Sequence, residues 1–297
     1  MGGAGLETDG ASGPDSPEPT PGRPRSSSSE PLASATILDR YATWAPSAQA
    51  TVDIFKDEWS SALPEELGVE TGTAGLFEDT RIRWVLEQLG SVEGASALEL
   101  GPLEGGHTFM LCRAGAHVDA VEANSRAFLK CLIAKELLSI TGARFLYGDF
   151  VEFLKAHTTT RWDFVLASGV LYHMLDPFEL LTLMARVTNR VAIWTHYFDE
   201  AILMNSAMAR QFAAPAAPIR VEDNEYILHK REYAEALEWS GFCGGPAMSA
   251  NWIERAHLMH CLEQLGFSRI DVAFDEPHHQ NGPSLLLFAQ RLGSPRR

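Results

Sequence analysis

The stretch LELGPLEGGHT at residues 98–108 decides how this chain is read. An apolar run enters it and an amphipathic run leaves it, which predicts a strand, a tight glycine turn and a helix, the layout of a nucleotide-binding turn. The charge departs from that layout. Glu99 stands two residues before the first glycine, and Glu104 stands inside the turn. Two carboxylates repel phosphate, so this is a poor phosphate cradle. Glu104 acquires no role from sequence alone and is expected to face solvent.

Outward from the turn the pattern is regular. Short apolar runs at 96–100, 117–123, 143–149, 162–168 and 190–196 read as buried strands, and 107–114, 125–138, 150–156 and 177–187 read as helices. Strand alternating with helix predicts an α/β fold, a doubly wound and mostly parallel sheet covered on both faces. Further on, a helix expected over 251–265 leads into runs at 269–276 and 284–292, joined by the turn PHHQNGP. So short a connection pairs its strands antiparallel. Ahead of the sheet, helices are expected over 37–63, anchored by Phe55 and Trp59, and over 78–89, where Ile82, Val85 and Leu89 recur at helical spacing.

Composition divides the chain further. Residues 1–35 are rich in Gly, Ser and Pro and cannot bury enough apolar surface to offset their ordering entropy, so a disordered tail is expected there. A helical cap is expected over 36–93, and the main domain over 94–297. Residues 201–249 exceed an ordinary connection and carry Met204, Met208, Phe212 and Trp239, which suggests a lid or substrate-binding insertion. The 297-residue chain has a formal net charge of −15, and the tail holds only −3 of it (five acids against two bases). Such acidity argues against a broad nucleic-acid-binding face. Four scattered cysteines without a C-x-x-C pair point to buried thiols in a reducing compartment rather than a disulfide framework or zinc site. No apolar run is long enough to span a bilayer, and a cytoplasmic location is the default expectation.

Taken in order, the strand, the glycine turn, the acid-tipped second strand, the GD at the third and the terminal hairpin resemble the class I S-adenosylmethionine-dependent methyltransferases. The resemblance covers roughly residues 94–292. It implies a seven-stranded, Rossmann-like methyltransferase sheet with an antiparallel last strand, and S-adenosylmethionine as cofactor. That ligand carries an ammonium and a sulfonium, which suits a turn bearing carboxylates. By this resemblance Glu99 faces the methionine ammonium, Gly101 and Gly105 are the first and last glycines of the loop, and Glu122 takes the ribose hydroxyls. Asp149 and Phe150 then meet the adenine. The middle glycine of the family pattern is Leu103 here, which leaves the detailed shape of the loop open. A dinucleotide reading, with Gly101 and Gly106 as outer glycines, puts Leu103 where a pyrophosphate needs backbone access.

Ligands of such sheets bind outside the carboxyl ends of the strands. Ser168, Tyr172 and His173 follow the fourth strand, His196 and Tyr197 the fifth, and His278, His279 and Asn281 lie in the hairpin turn on the same rim. Ser168 is assigned to the cofactor; Trp59, Tyr172, Tyr197, His278 and Asn281 are assigned to the substrate. Methyl transfer needs placement, and a base only when the acceptor loses a proton. His173 and His196 are the candidate bases, with a structural helix-capping role as the competing reading of His173. His257 and His260 lie one turn apart without an evident third ligand, so no metal is expected. The phrases GVLYHM, DPFELL, WTHYF and HHQNGP resemble a bacterial small-molecule branch of the family, which implies a specialised-metabolite acceptor. The fourth-strand phrase also resembles enzymes that modify the tRNA wobble uridine, and a cofactor-binding module without turnover is a third reading.

Overall fold

Ser47 caps the first helix, α1 (Ala48–Val52), and the chain tightens into a 3-10 turn at Asp53–Phe55. The computed structural model describes residues 41–238 and 243–292. The 1–35 tail, the start of the helix expected over 37–63, and Trp239 lie outside them. The chain divides after Thr43, and residues 41–43 are exposed and belong to no helix or strand.

The long first helix is not formed. Asp57 takes a left-handed φ of 63°, and Trp59 turns back to donate its indole N–H to the Val52 carbonyl at 2.9 Å. Asp and Ser in this stretch compete with helical backbone bonds. Phe55 and Trp59 are nevertheless buried. The second helix, α2 (Thr80–Leu89), starts later than expected because Asp79 caps it, its side chain accepting the Arg81 amide.

The alternating region then unfolds as β1 (Ser96–Leu100), α3 (Gly106–Arg113), β2 (His117–Glu122), α4 (Ser125–Leu137), β3 (Ala143–Tyr147), α5 (Phe150–Ala156), β4 (Phe164–Ser168), α6 (Pro177–Val187) and β5 (Arg190–His196). After α7 (Glu200–Leu203) come β6 (Ala217–Val221), β7 (Asn224–Glu232) and β8 (Ser249–Trp252), then α8 (Arg255–Gln264), β9 (Arg269–Glu276) and β10 (Ser284–Gln290). The main sheet has seven strands in the order β3-β2-β1-β4-β5-β10-β9. β10 runs antiparallel to both neighbours, as the short turn before it requires. From β1 the chain winds outward to β3, then returns to place β4 on the other side of β1. That reversal opens a crevice beyond the carboxyl ends of β1 and β4. Leu98, Leu100, Val165, Phe178, Leu285 and Leu287 belong to the core packed around these strands.

Two expectations are corrected here. The helix expected over 251–265 begins only at Arg255, because residues 249–252 form a strand paired with β7. The insertion is therefore a three-stranded antiparallel sheet, β6-β7-β8. Its signal is partial, since burial alternates over Glu225, Tyr226, Ile227 and Leu228 but no Asn-Gly turn marks the β6-β7 hairpin, which turns at Glu222 with φ 53°. The thiols are likewise not all buried: Cys131 and Cys261 are, Cys112 is half-buried and Cys243 is exposed.

Candidate active site

Gly101 leaves β1 with φ 65° and approaches the segment after β4 so closely that a Cβ would stand 2.7 Å from Val170 Cγ1. Leu103 occupies the left-handed region at φ 57°, where glycine would sit without strain. Its amide donates to Glu122 Oε2 at 3.0 Å, and the Asn124 amide donates to Glu122 Oε1 at 2.8 Å. Glu122 thus holds the loop in shape from the end of β2. A carboxylate offers about four lone-pair sites, so acceptor capacity is left over. Burial pushes its pKa up.

Glu99 is buried on β1 and accepts the Thr108 hydroxyl from α3; burial raises its pKa, with the charge of His107 acting against that rise. The expectation for Glu104 is overturned. It is fully buried, accepts the Ser60 and Ser61 amides at 2.9 and 2.7 Å, and pairs with Lys130 of α4 at 3.0 Å. Lys130 also donates to the Glu58 carbonyl. The loop, α4 and the segment ahead of the sheet are fastened together by this one carboxylate, which leaves solvent because three donors replace water.

A second network lies beside it. Asp79 accepts from Arg81 and lies 2.9 Å from His107 Nε2. Burial alone would raise the Asp79 pKa, but bonds from His107 and Arg81 outweigh it and hold the group well below the usual carboxylate range. The Arg81 guanidinium in turn sits 4.4 Å from the ring centroid of Trp194 on β5.

Trp194 opens a cluster of rings at the rim. His196 stacks on Trp252 at 5.2 Å and lies 4.6 Å from Tyr172 and 5.1 Å from His279. Its Nδ1 donates to the Gly282 carbonyl at 2.9 Å, with the Pro283 carbonyl at 3.3 Å. Two carbonyls can only accept, so Nδ1 carries the proton and Nε2 presents a lone pair. Burial lowers the pKa to about 4, keeping the ring neutral near neutral pH. Ser284, directly opposite His196 across β5 and β10, holds a buried hydroxyl with no partner among the described residues. His173 Nδ1 lies 2.8 Å from the Tyr233 hydroxyl, and burial lowers its pKa to about 3. Arg231 of β7 lies 4.9 Å from the centroid of Trp252 and 5.7 Å from that of Tyr233.

The structure gathers Tyr172, His173 and His196 in this cluster, and Glu99, Gly101, Gly105 and Glu122 at the loop. Ser168 ends β4 half-buried. Asp149 is exposed and caps α5 through Oδ1, accepting the Val151 and Glu152 amides at 2.8 and 3.1 Å, while Phe150 is half-buried against the core. Four residues assigned to the substrate stand apart from this cluster. Tyr197 joins the apolar core, where its hydroxyl donates to Asp275 at 2.7 Å. Trp59 packs under Lys130, near the Glu104 clasp, and makes no ring contact with the cluster among the described residues. His278 and Asn281 are exposed, and His279, one residue along, faces the rings. His257 and His260 both lie against Tyr226. The sequence reading missed Lys130, Asp79, Arg231, Tyr233 and Trp252. Trp252 was hidden inside an expected helix, and Arg231 in an expected lid without strands.

No family model matches the chain, and no curated protein does. Among solved structures, it is similar to the N-terminal domain of EvdMO1 crystallised in the presence of SAH (S-adenosylhomocysteine) and D-fucose, with a TM-score of 0.60 and 23% identity over 82% of this chain and 94% of that one. The same domain with SAH bound gives 0.61 and 22%, covering 82% and 95%. Against the EvdMO1 chain the TM-score is 0.51 at 22% identity, over 78% of this chain and 45% of that one. At these identities the likeness is one of fold. That fold is the seven-stranded, Rossmann-like methyltransferase fold with an antiparallel strand at its end.

Proposed function

We propose that this chain is an S-adenosylmethionine-dependent methyltransferase acting on a small molecule, a specialised metabolite in keeping with its sequence phrases. One observation carries the reading: three carboxylates, Glu99, Glu104 and Glu122, surround the glycine loop, and the amine that reaches it, Lys130, is already paired. A pyrophosphate there would meet uncompensated negative charge, whereas a cationic ligand would be stabilised. The residues present therefore fit this cofactor. Glu99 would face its ammonium, the backbone at Gly101 and Gly105 would admit close approach, and Glu122 would use its remaining lone pairs on the ribose. Asp149 keeps Oδ2 available beside the cap, with Phe150 next to it.

The cofactor supplies an electrophilic methyl group. This chain's own residues supply the setting. Trp194 and Tyr172, half-buried at the rim and backed by Trp252, form an apolar wall that orients an acceptor and excludes water. His196, its ring fixed through Nδ1, accepts the acceptor's proton at Nε2.

Calorimetric titration with SAH and with NAD tests the reading. SAH should bind and NAD should not, and labelled methyl should then pass to some component of a metabolite extract. NAD binding at the loop with no SAH affinity would sink it.

A further inference from the structure

Arg231 is out of keeping with the other arginines. Among the described residues, the half-buried Arg81, Arg190 and Arg269 pair with carboxylates, and Arg291 gives its guanidinium to backbone carbonyls. Half-buried Arg231 makes no ion pair among these residues. Its one side-chain hydrogen bond is from Nε to the neutral amide oxygen of Gln211, at 2.9 Å. The terminal nitrogens are left without a protein acceptor among the described residues, yet they remain reachable, since none is a buried unsatisfied atom. Around the guanidinium stand Trp252, Tyr233, Tyr172, His173 and His196, all neutral near pH 7. Withdrawing a guanidinium from water without an anion is unfavourable, and burial pulls its pKa down accordingly. A cation held in that state beside the ring cluster at the rim stands ready for an anion brought by a ligand. The planar fork, fixed at Nε, presents two parallel N–H groups that match a carboxylate.

We infer that Arg231 binds the methyl acceptor through an anionic oxygen group, so that the molecule methylated is a small organic acid. The inference rests on the methyltransferase reading and narrows it to a class of substrate. His196 agrees with it. A base this weak serves best when the acceptor's proton is itself acidic.

The test splits a bacterial metabolite extract on an anion exchanger before labelled methyl transfer, with calorimetric SAH binding run in parallel. Wild type should label the retained, anionic fraction. R231Q should bind SAH as wild type does and raise KM for the purified acceptor at least tenfold, with kcat within about twofold. R231K should recover part of the loss. Should R231Q misfold and lose SAH binding, Q211A provides the second arm, because releasing Nε should raise KM without altering charge. Label confined to the unretained fraction, no label in either fraction despite SAH binding, or variants that match wild type would overturn the role of Arg231. An absence of SAH binding by wild type would instead overturn the methyltransferase reading beneath it.

Discussion

Glu122 serves the loop's backbone and, in the proposed complex, the cofactor ribose, so its removal separates two costs. E122A frees the Leu103 and Asn124 amides, and should lower stability by about 1–3 kcal/mol. It should weaken SAH binding at least tenfold by calorimetry, and unchanged affinity would refute the assignment. For His196, asparagine is the informative replacement because its amide N–H can still reach the Gly282 carbonyl while Nε2 is lost. H196N should lower kcat by about 10²-fold or more and leave SAH affinity alone. A wild-type rate would exclude His196 as the base. Glu99 adds a proton linkage. Burial holds its pKa above the ordinary 4.5, and a cationic ligand stabilises the ionised form, so binding expels a proton. S-adenosylmethionine affinity should therefore rise with pH through that raised range, and titration in buffers of different ionisation enthalpy should detect the released proton. These three positions were legible in the sequence because acid–glycine spacing and strand-end placement are local. Choosing His279 over the exposed His278 was not, since neighbouring residues of a turn face opposite ways and only the folded rim decides which one turns inward.

Elements are held together here by residues whose pairing no local pattern announces. Glu104 on the loop and Lys130 on α4 lie 26 positions apart, and both become buried only when the segment around Ser60 closes over them. Breaking such a pair from one side leaves a buried charge uncompensated. K130M should cost about 3–5 kcal/mol in denaturant unfolding. The double variant E104Q/K130M should regain part of that loss, because no buried charge is left and the amide oxygen can still accept one of the Ser60 and Ser61 N–H groups. A double variant no more stable than K130M would argue against the pairing. The inserted sheet makes a similar point. Residues 251–252 look helical in isolation, but pairing of 249–252 with β7 satisfies their backbone as a strand and brings Trp252 against His196.

At the scale of the whole molecule, buried titratable groups pull stability in opposite directions with pH. His173 and His196 have pKa values pushed down from 6.5 to about 3 and about 4. The unfolded chain therefore takes up protons first, and their share of stability is complete above 6.5 and lost as pH falls toward those values. Glu99 and Glu122, raised above 4.5, act in the reverse sense, their share being lost as pH rises through the raised values. Comparing variants separates the two. The stability advantage of wild type over H196N should shrink as pH falls from about 6.5 to about 4 in urea unfolding, and a gap that stays constant would show that His196 is not held neutral by burial.

What the sequence determined by itself was the alternation of strand and helix, the acid-bearing glycine loop and the antiparallel closing hairpin, because periodicity, turn chemistry and strand-end acids act over a few residues. Tertiary structure decided the rest. It buried Glu104 against Lys130, drew Tyr197 into the core, turned part of an expected helix into a strand, and set Arg231, without an ion pair among the described residues, beside a ring of neutral side chains. Each of these depends on which distant groups arrive to replace water, and that is settled only when the elements pack.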